Sequence, residues 1–366
     1  MKIDECTTSF YNRTMTAPRQ AHRSYLLTGP EHVHALQLGL VDASWYHSPI
    51  PRAQLKKLVA RRNGPASRDI AIWVALLAGT GALAFASWGT WWAIPAFALY
   101  GTMYGSVADP RWHECGHGTA FKTQRANSVV YAVASFMTFR EPVSWRWSHA
   151  RHHSDTIIVG WDPEIAVPRP TSVLSLFSEF FCLRSAPGEI KKLALNCVGR
   201  MTSEERDFVP EEQYNKAIWS ARAFVAVWVA SSAWSIAAGS IEPLLFIGLP
   251  SFYGRWLLVV FGLTQHAGLA EDVLDHRLNT RTVAMGPVLR FLYWNMNFHI
   301  EHHMYPTVPF HALEQLHAAV KDDLPPVYQG LRGAYREVIP ALRRQAKEPS
   351  FFVERTLIGA PTHVTQ

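Results

Sequence analysis

Disulfide chemistry is nearly absent from this sequence. Its 366 residues include four cysteines, Cys6, Cys115, Cys182 and Cys197, scattered and without a CxxC pair. That excludes a disulfide scaffold and a zinc ribbon, and it fits a reducing, cytosolic setting. No charged-then-apolar leader occupies Met1–Arg23, so no cleavable signal peptide is expected. Internal repeats and low-complexity tracts are missing as well. The most informative absence is charge: no Asp, Glu, Lys or Arg occurs from Ile70 to Ala108.

About 20 residues cross a hydrocarbon core at 1.5 Å rise per residue, so this run is long enough for two spans, near 70–87 and 91–108. The turn would fall at Ser87–Thr90, where Trp88, Trp91 and Trp92 form an interfacial aromatic cluster. The competing reading is a hydrophobic core hairpin of a soluble protein. A second apolar pair is expected near 217–239 and 241–263. Arg222 sits near the start of its segment and can snorkel, and Glu242 falls at the turn. Arg255 lies well inside the fourth segment, where a charge needs a partner or a cavity. Residues 125–139 are apolar but too short to span.

The net charge of +6 could serve nucleic acid or an acidic membrane surface. The basic residues flank apolar stretches instead of forming one patch, so a bilayer is the expected partner and nucleic acid is not. The proposed outer turns carry no Lys or Arg, while 1–69, 109–216 and 264–366 carry nearly all of them. The positive-inside rule then puts both termini and the middle loop in the cytoplasm, with a bacterial inner membrane as the expected location. The expected fold is an all-α integral membrane protein. Its four transmembrane helices form two hairpins under a cytoplasmic helical cap that carries a metal site. Residues 1–69 would be a cytoplasmic N-terminal segment, 70–306 the membrane domain and 307–366 cytoplasmic C-terminal helices around Pro325-Pro326.

Three histidine clusters carry the chemistry: His113-Glu-Cys-Gly-His117, His149-Ala-Arg-His152-His153 and His299-Ile-Glu-His302-His303. On a helix, positions i, i+3 and i+4 share a face, so each cluster aims two or three imidazoles at one point. Neutral imidazole ligates Zn, Fe, Cu and Ni. Eight histidines are too many for one tetrahedral zinc and suit two metals. His266, placed where the fourth segment leaves the membrane, is a ninth candidate. His22, His32, His34, His47, His276, His311, His317 and His363 are read as ordinary. Glu114, Asp155, Glu271, Asp272 and Glu301 are candidate acceptors for the ligands' second ring nitrogens. Two other classes stay open. The first cluster fits the HExxH zinc-protease pattern with Glu114 as base. A metal transporter is the other, although transporters bind near the bilayer midplane.

From about Arg111 to His311 the chain resembles the membrane fatty acid desaturase and hydroxylase family. The likeness rests on HECGH, HARHH, HIEHH, the hairpin spacing and the run Asn295–Pro306. The resemblance implies a catalytic centre of two irons (Fe2+), with O2 as co-substrate. It implies electrons from a separate ferredoxin or rubredoxin-like donor and reductase, and desaturation or hydroxylation of an acyl chain. Its ligands would be His113, His117, His149, His152, His153, His299, His302 and His303, with His266 as the extra ligand before the third box. One departure stands out. Acyl-CoA desaturases carry an asparagine four positions before that extra histidine; here it is Gly262, nearer the all-histidine pattern of alkane hydroxylases. The surroundings of Trp294 also resemble a bacterial subgroup that includes rhizopine oxygenase, which makes O-demethylation or hydroxylation of a small molecule the alternative.

Overall fold

The computed structural model describes residues 23–357. The readings of Cys6, His22, His363 and both termini lie outside the described residues. Cys115, Cys182 and Cys197 are free thiols.

The chain is mostly helical, and its longest helices follow from uncharged sequence. Helix Asn63–Ala86 has no charge after Asp69, and helix Tyr214–Ala238 carries its only late charge at Arg222. Among the described residues, two helical stretches, Arg52–Ala86 and Glu211–Ala238, are long and apolar enough to cross a membrane. Their apolar windows are only 17% and 22% buried. A core helix of a soluble protein would be mostly covered, so the outward Val74, Leu83, Phe85, Val229 and Ile236 side chains fit lipid contact instead of a soluble hairpin core. Residues 87–92 form the turn, with Trp91 and Trp92 fully outward.

The return arm runs through Ala93–Gly101, a π-helical turn at Thr102–Ser106, and Val107–Gly116. Pro110 explains the wide turn: it has no N–H for the Ser106 carbonyl, and its ring pushes that carbonyl away. The segment expected as a fourth span is not one helix. It divides into Glu242–Phe246, Pro250–Tyr253 and Trp256–His266. Pro250 has no backbone donor, and Gly248 adopts φ +95°, so the breaks are written in the sequence.

The two irregular places meet. The Ser106 hydroxyl donates to the Gly254 carbonyl (2.5 Å) and accepts from the Leu258 amide (3.0 Å). The Trp256 indole donates to Thr102 Oγ1 (2.9 Å). Backbone groups of the second break thus find a partner in the Ser106 side chain of the first. Contact this close requires glycine: a Cβ at Gly254 would lie 1.8 Å from the Gly101 oxygen. The crossing fixes helix Val107–Gly116 against helix Trp256–His266, which carry the first histidine box and His266.

Helix Pro142–Ser154 carries the second box. It starts on Glu141, whose carboxylate accepts from the Val143 (3.0 Å) and Ser144 (2.6 Å) amides, with Pro142 at the first turn. The third box occupies a short helix, His299–Met304. It follows a tight turn in which Trp294 and Asn295 both take positive φ. Trp294 stacks on Phe310 at 4.1 Å and donates to Asp69 (3.2 Å), and Asn295 donates to the Phe310 carbonyl (3.0 Å). Helices Leu313–Val320 and Gly330–Gln345 are the last two α-helices among the described residues, where Val283–Ala284 also pairs in parallel with Tyr328–Gln329.

Gly254→Ala should therefore be costly, by about 1–3 kcal/mol or more from overpacking. Thermal unfolding in detergent should show a clearly lowered Tm. Gly79→Ala, on an outward-facing apolar helix with nothing within 4 Å of the added carbon, should leave Tm unchanged or raise it. Equal Tm values for the two variants would contradict the close crossing.

Candidate metal centre

All nine histidines singled out in the sequence come together. His113, His117, His149, His153 and His302 form one group with ligand nitrogens mutually within 4.8 Å, and His152, His266 and His303 form a second. His299 joins the second group, its Nε2 being 3.2 Å from His303 Nε2. In the first group the Nε2 atoms of His113 and His302 are 2.7 Å apart, those of His117 and His149 3.1 Å, those of His113 and His149 3.3 Å, and those of His153 and His302 3.2 Å.

Nitrogens around one metal at ~2.1 Å bonds, spread by 90–109°, stand about 3.0–3.4 Å apart. Four of the five observed spacings, 3.1–3.3 Å, fall in that shell, and the His113–His302 pair is tighter at 2.7 Å. The donor set fits a metal on a second ground. His266 Nδ1 faces the Asn279 carbonyl at 2.9 Å and so carries the proton, which leaves Nε2 as a bare acceptor. That Nε2 is buried and has no hydrogen-bond partner. Its ring stands 5.1 Å from His299, 5.0 Å from His303 and 5.3 Å from His152. An unpaired buried lone pair is expensive, and a cation relieves it.

Burial, followed by the neighbouring imidazoles, holds His117, His153, His299, His302 and His303 well below the usual histidine range. Their rings are neutral and able to ligate at neutral pH. His152 differs. Burial would lower it, but Asp162, by charge and by hydrogen bond, and Glu164 behind it outweigh burial and raise it.

The clustered histidines are oriented by residues that sequence reasoning missed. His149 Nδ1 meets Glu164 at 3.0 Å and His152 Nδ1 meets Asp162 at 2.8 Å. His303 Nδ1 meets Thr156 Oγ1 at 3.1 Å, a hydroxyl that itself donates to the His152 carbonyl at 2.7 Å. These partners come from the loop that wraps back after the second box. Ile157 takes φ +56° there, a rare conformation for a β-branched residue, and its amide is held by Asp162 at 2.7 Å. The signal available in the sequence was Asp162-Pro163-Glu164, two carboxylates in a turn just after three histidines.

The five acidic residues expected in this role serve elsewhere. Glu114 accepts from Thr119 Oγ1 (2.6 Å) and the Phe310 amide (3.0 Å). Asp155 pairs with Arg151, and Glu271 and Asp272 bind Arg23. Glu301 accepts from Thr282 and contacts His317. Glu114 is thus turned away from the imidazoles, where a peptidase base could not act. His276, read as ordinary, is 2% exposed with its ring 5.1 Å from that of His303.

A chamber of about 660 Å³ opens beside the histidines and is lined by His113, His149, His152, His266 and His299. One face of helix Trp256–His266, with Arg255 just before it, forms a wall. Arg255, Leu258, Val259, Gly262, Leu263 and His266 all line it, spaced at i, i+3, i+4, i+7, i+8 and i+11. That face is about 16 Å long at 1.5 Å per residue. Gly262 has nothing within 4 Å of an added Cβ, so its missing side chain widens the chamber one turn before His266. Arg255, suspected from its place in an apolar segment, pairs with Glu179 at 2.9 Å on the chamber wall.

The family model described as fatty acid desaturase matches residues 89–335. An oleoyl-12-hydroxylase of Ricinus communis is 27% identical over 299 residues, covering 73% of this chain and 75% of the hydroxylase. An omega-6 fatty acid desaturase of Glycine max is 27% identical over 263 residues, covering 64% of this chain and 67% of the desaturase. A delta(12)-acyl-lipid desaturase of Punica granatum is 27% identical over 296 residues, covering 73% of each.

Asp162→Asn should keep the fold but weaken metal binding about 10–100-fold, the usual cost of removing such a partner; a competition titration with a chelator measures it. The metal-free protein should also lose stability as pH falls through about 6.5, where the unfolded chain takes up protons that the depressed folded histidines refuse. Denaturant midpoints at pH 7.5, 6.5 and 5.5 should fall in that order, and a flat series would contradict the buried neutral cluster.

Proposed function

Because the chain belongs to the fatty acid desaturase family, we propose that its nine histidines hold two irons which oxidise an acyl chain with O2. The protein is an oxidoreductase of lipid metabolism. The single observation that carries the finer reading is the convergence of all three boxes and His266 on two adjoining nitrogen groups. His113, His117, His149, His153 and His302 would hold one iron, and His152, His266, His299 and His303 the other. Imidazole suits several transition metals; the family selects iron.

When bound, iron supplies with O2 the power to remove hydrogen from an unactivated C–H bond. For desaturation, one CH2–CH2 unit, O2, two electrons and two protons give CH=CH and two waters. For hydroxylation, one C–H, O2, two electrons and two protons give C–OH and one water. The protein's own contribution is placement. Leu258, Val259 and Leu263 offer hydrocarbon surface along the wall that leads to His266. An acyl chain laid there exchanges water for apolar contact at low cost. Asp162, Glu164 and Thr156 keep each imidazole proton on the far nitrogen, so the near one stays a ligand. A zinc peptidase is not favoured, since it would leave both HxxHH boxes without a role. Demethylation of a small compound is not favoured either, since the relatives are named for acyl substrates.

We place the centre in a cytoplasmic cap over four membrane crossings, the fourth made by the broken segment 241–263. The support is the confinement of Lys and Arg to one set of loops. A soluble one-electron donor would then reach the cap. Cysteines introduced at Gly89 and Ser240 should react with an impermeant reagent from outside, and one introduced at Lys191 only after permeabilisation.

Purified protein should carry about two irons per chain. Cells expressing it with a ferredoxin system should form, only in the presence of O2, fatty acids lacking two hydrogens or carrying one oxygen from 18-O2. Gly262→Leu should cut that activity by on the order of tenfold, corresponding to ~1.4 kcal/mol of lost transition-state stabilisation, while retaining the iron. Product formation without O2, or one zinc and no iron, would falsify this reading.

A further inference from the structure

His276 lies between the metal-ligating histidines and the surface. Its ring is 5.1 Å from that of His303, and its other neighbour is the Trp45 indole, stacked at 4.3 Å with an interplanar angle of 5°. His276 is 2% exposed, whereas Trp45 is partly exposed and is followed by the exposed His47. The stack is held in place from several sides. Trp45 Nε1 donates to the Ser154 carbonyl at 2.8 Å, directly after the second box. The Tyr46 amide donates to the Leu274 carbonyl at 2.9 Å, two residues before His276.

Neither Trp45, His276 nor His303 lines the 660 Å³ chamber. The side of the centre that meets the stack is therefore not the side that receives substrate. His276 Nδ1 is buried and makes no hydrogen bond, so one polar atom of this ring is left without a partner at this place. What the arrangement offers is an unbroken series of π systems, Trp45 to His276 to His303, from solvent to a ligand. Electronic coupling falls steeply with each gap between groups; here Trp45 and His276 stack in parallel at 4.3 Å, and the His276 and His303 rings, tilted by 39°, have centroids 5.1 Å apart.

We propose that Trp45 and His276 form the electron-entry port of the enzyme, where a soluble one-electron protein carrier delivers reducing equivalents to the metal centre. The proposal rests on the iron reading above. In each encounter the carrier is oxidised by one electron and one iron is reduced from ferric to ferrous. No bond is made, and two encounters supply the pair of electrons that each O2 consumes. Trp45 and His276 are positioning residues: they couple carrier to ligand and take no part in hydrogen abstraction.

The test is anaerobic stopped-flow reduction of the iron-loaded full-length protein in detergent, following the loss of ferric absorbance. A reduced plant-type [2Fe–2S] ferredoxin serves as probe, with dithionite as a small reductant that needs no port. Trp45→Leu should slow reduction by ferredoxin at least tenfold, with iron content and the dithionite rate unchanged. Trp45→Phe should recover much of the rate, and His276→Leu should behave as Trp45→Leu. Wild-type ferredoxin rates in Trp45→Leu would overturn the port. So would equal slowing with both reductants, which would mean a damaged centre. A wild-type protein that binds no iron would instead refute the iron reading, before the port is reached.

Discussion

Nine imidazoles buried against one another are a liability unless something sits between them. Neutral rings present nitrogen lone pairs, and here several of those lone pairs face each other at 2.7–3.3 Å. Protonation cannot relieve them, because each added charge would meet its neighbours inside a buried site. Two metal ions can. The rest of the structure follows from holding these rings at ligand distance from places far apart in the chain. Four stretches contribute, at 113–117, 149–153, 266 and 299–303, and each has to be fixed independently of the metal.

Irregular backbone does much of that fixing. The π turn caused by Pro110 and the break around Gly254 are both defects in otherwise apolar helices. Ser106 of the first satisfies backbone groups of the second, and Thr102 accepts from the Trp256 indole. Their crossing sets the height of His113 against that of His266. The left-handed residues Trp294 and Asn295 do the same for the third box, and the strained Ile157 folds Asp162 and Thr156 back onto the second. Regular helices would give straighter segments and a poorer site, which is the usual reason that wide turns and strained residues gather near function.

The centre has two distinct sides. One opens on a chamber whose long wall is a single helix face ending at His266, wide at Gly262 and bounded by the Arg255–Glu179 pair. The other side meets Trp45 through His276. A reaction that needs an apolar substrate protected from water and electrons from a water-soluble carrier benefits from this separation.

The sequence by itself picked out the nine histidines that the structure brings together and the apolar helical character of the scaffold. Helical spacing in HxxxH and HxxHH puts ligands on one face whatever the surrounding fold, and an uncharged run of 39 residues (Ile70 to Ala108) has few uses other than a membrane. Such local signals survive without tertiary context because they depend on helix geometry and composition alone. Only the tertiary structure decided which histidines share a metal group, since His152 and His153, adjacent in sequence, point to different groups. It also decided the outer acceptors: the plausible Glu114 and Glu301 were drawn away by Thr119 and Thr282, while a loop turn delivered Asp162 and Glu164. His276 looked ordinary for the same reason. Its importance lies in its ring neighbours, and neighbours 231 and 27 positions away, as for Trp45–His276 and His276–His303, leave no periodic trace in the chain that contains them.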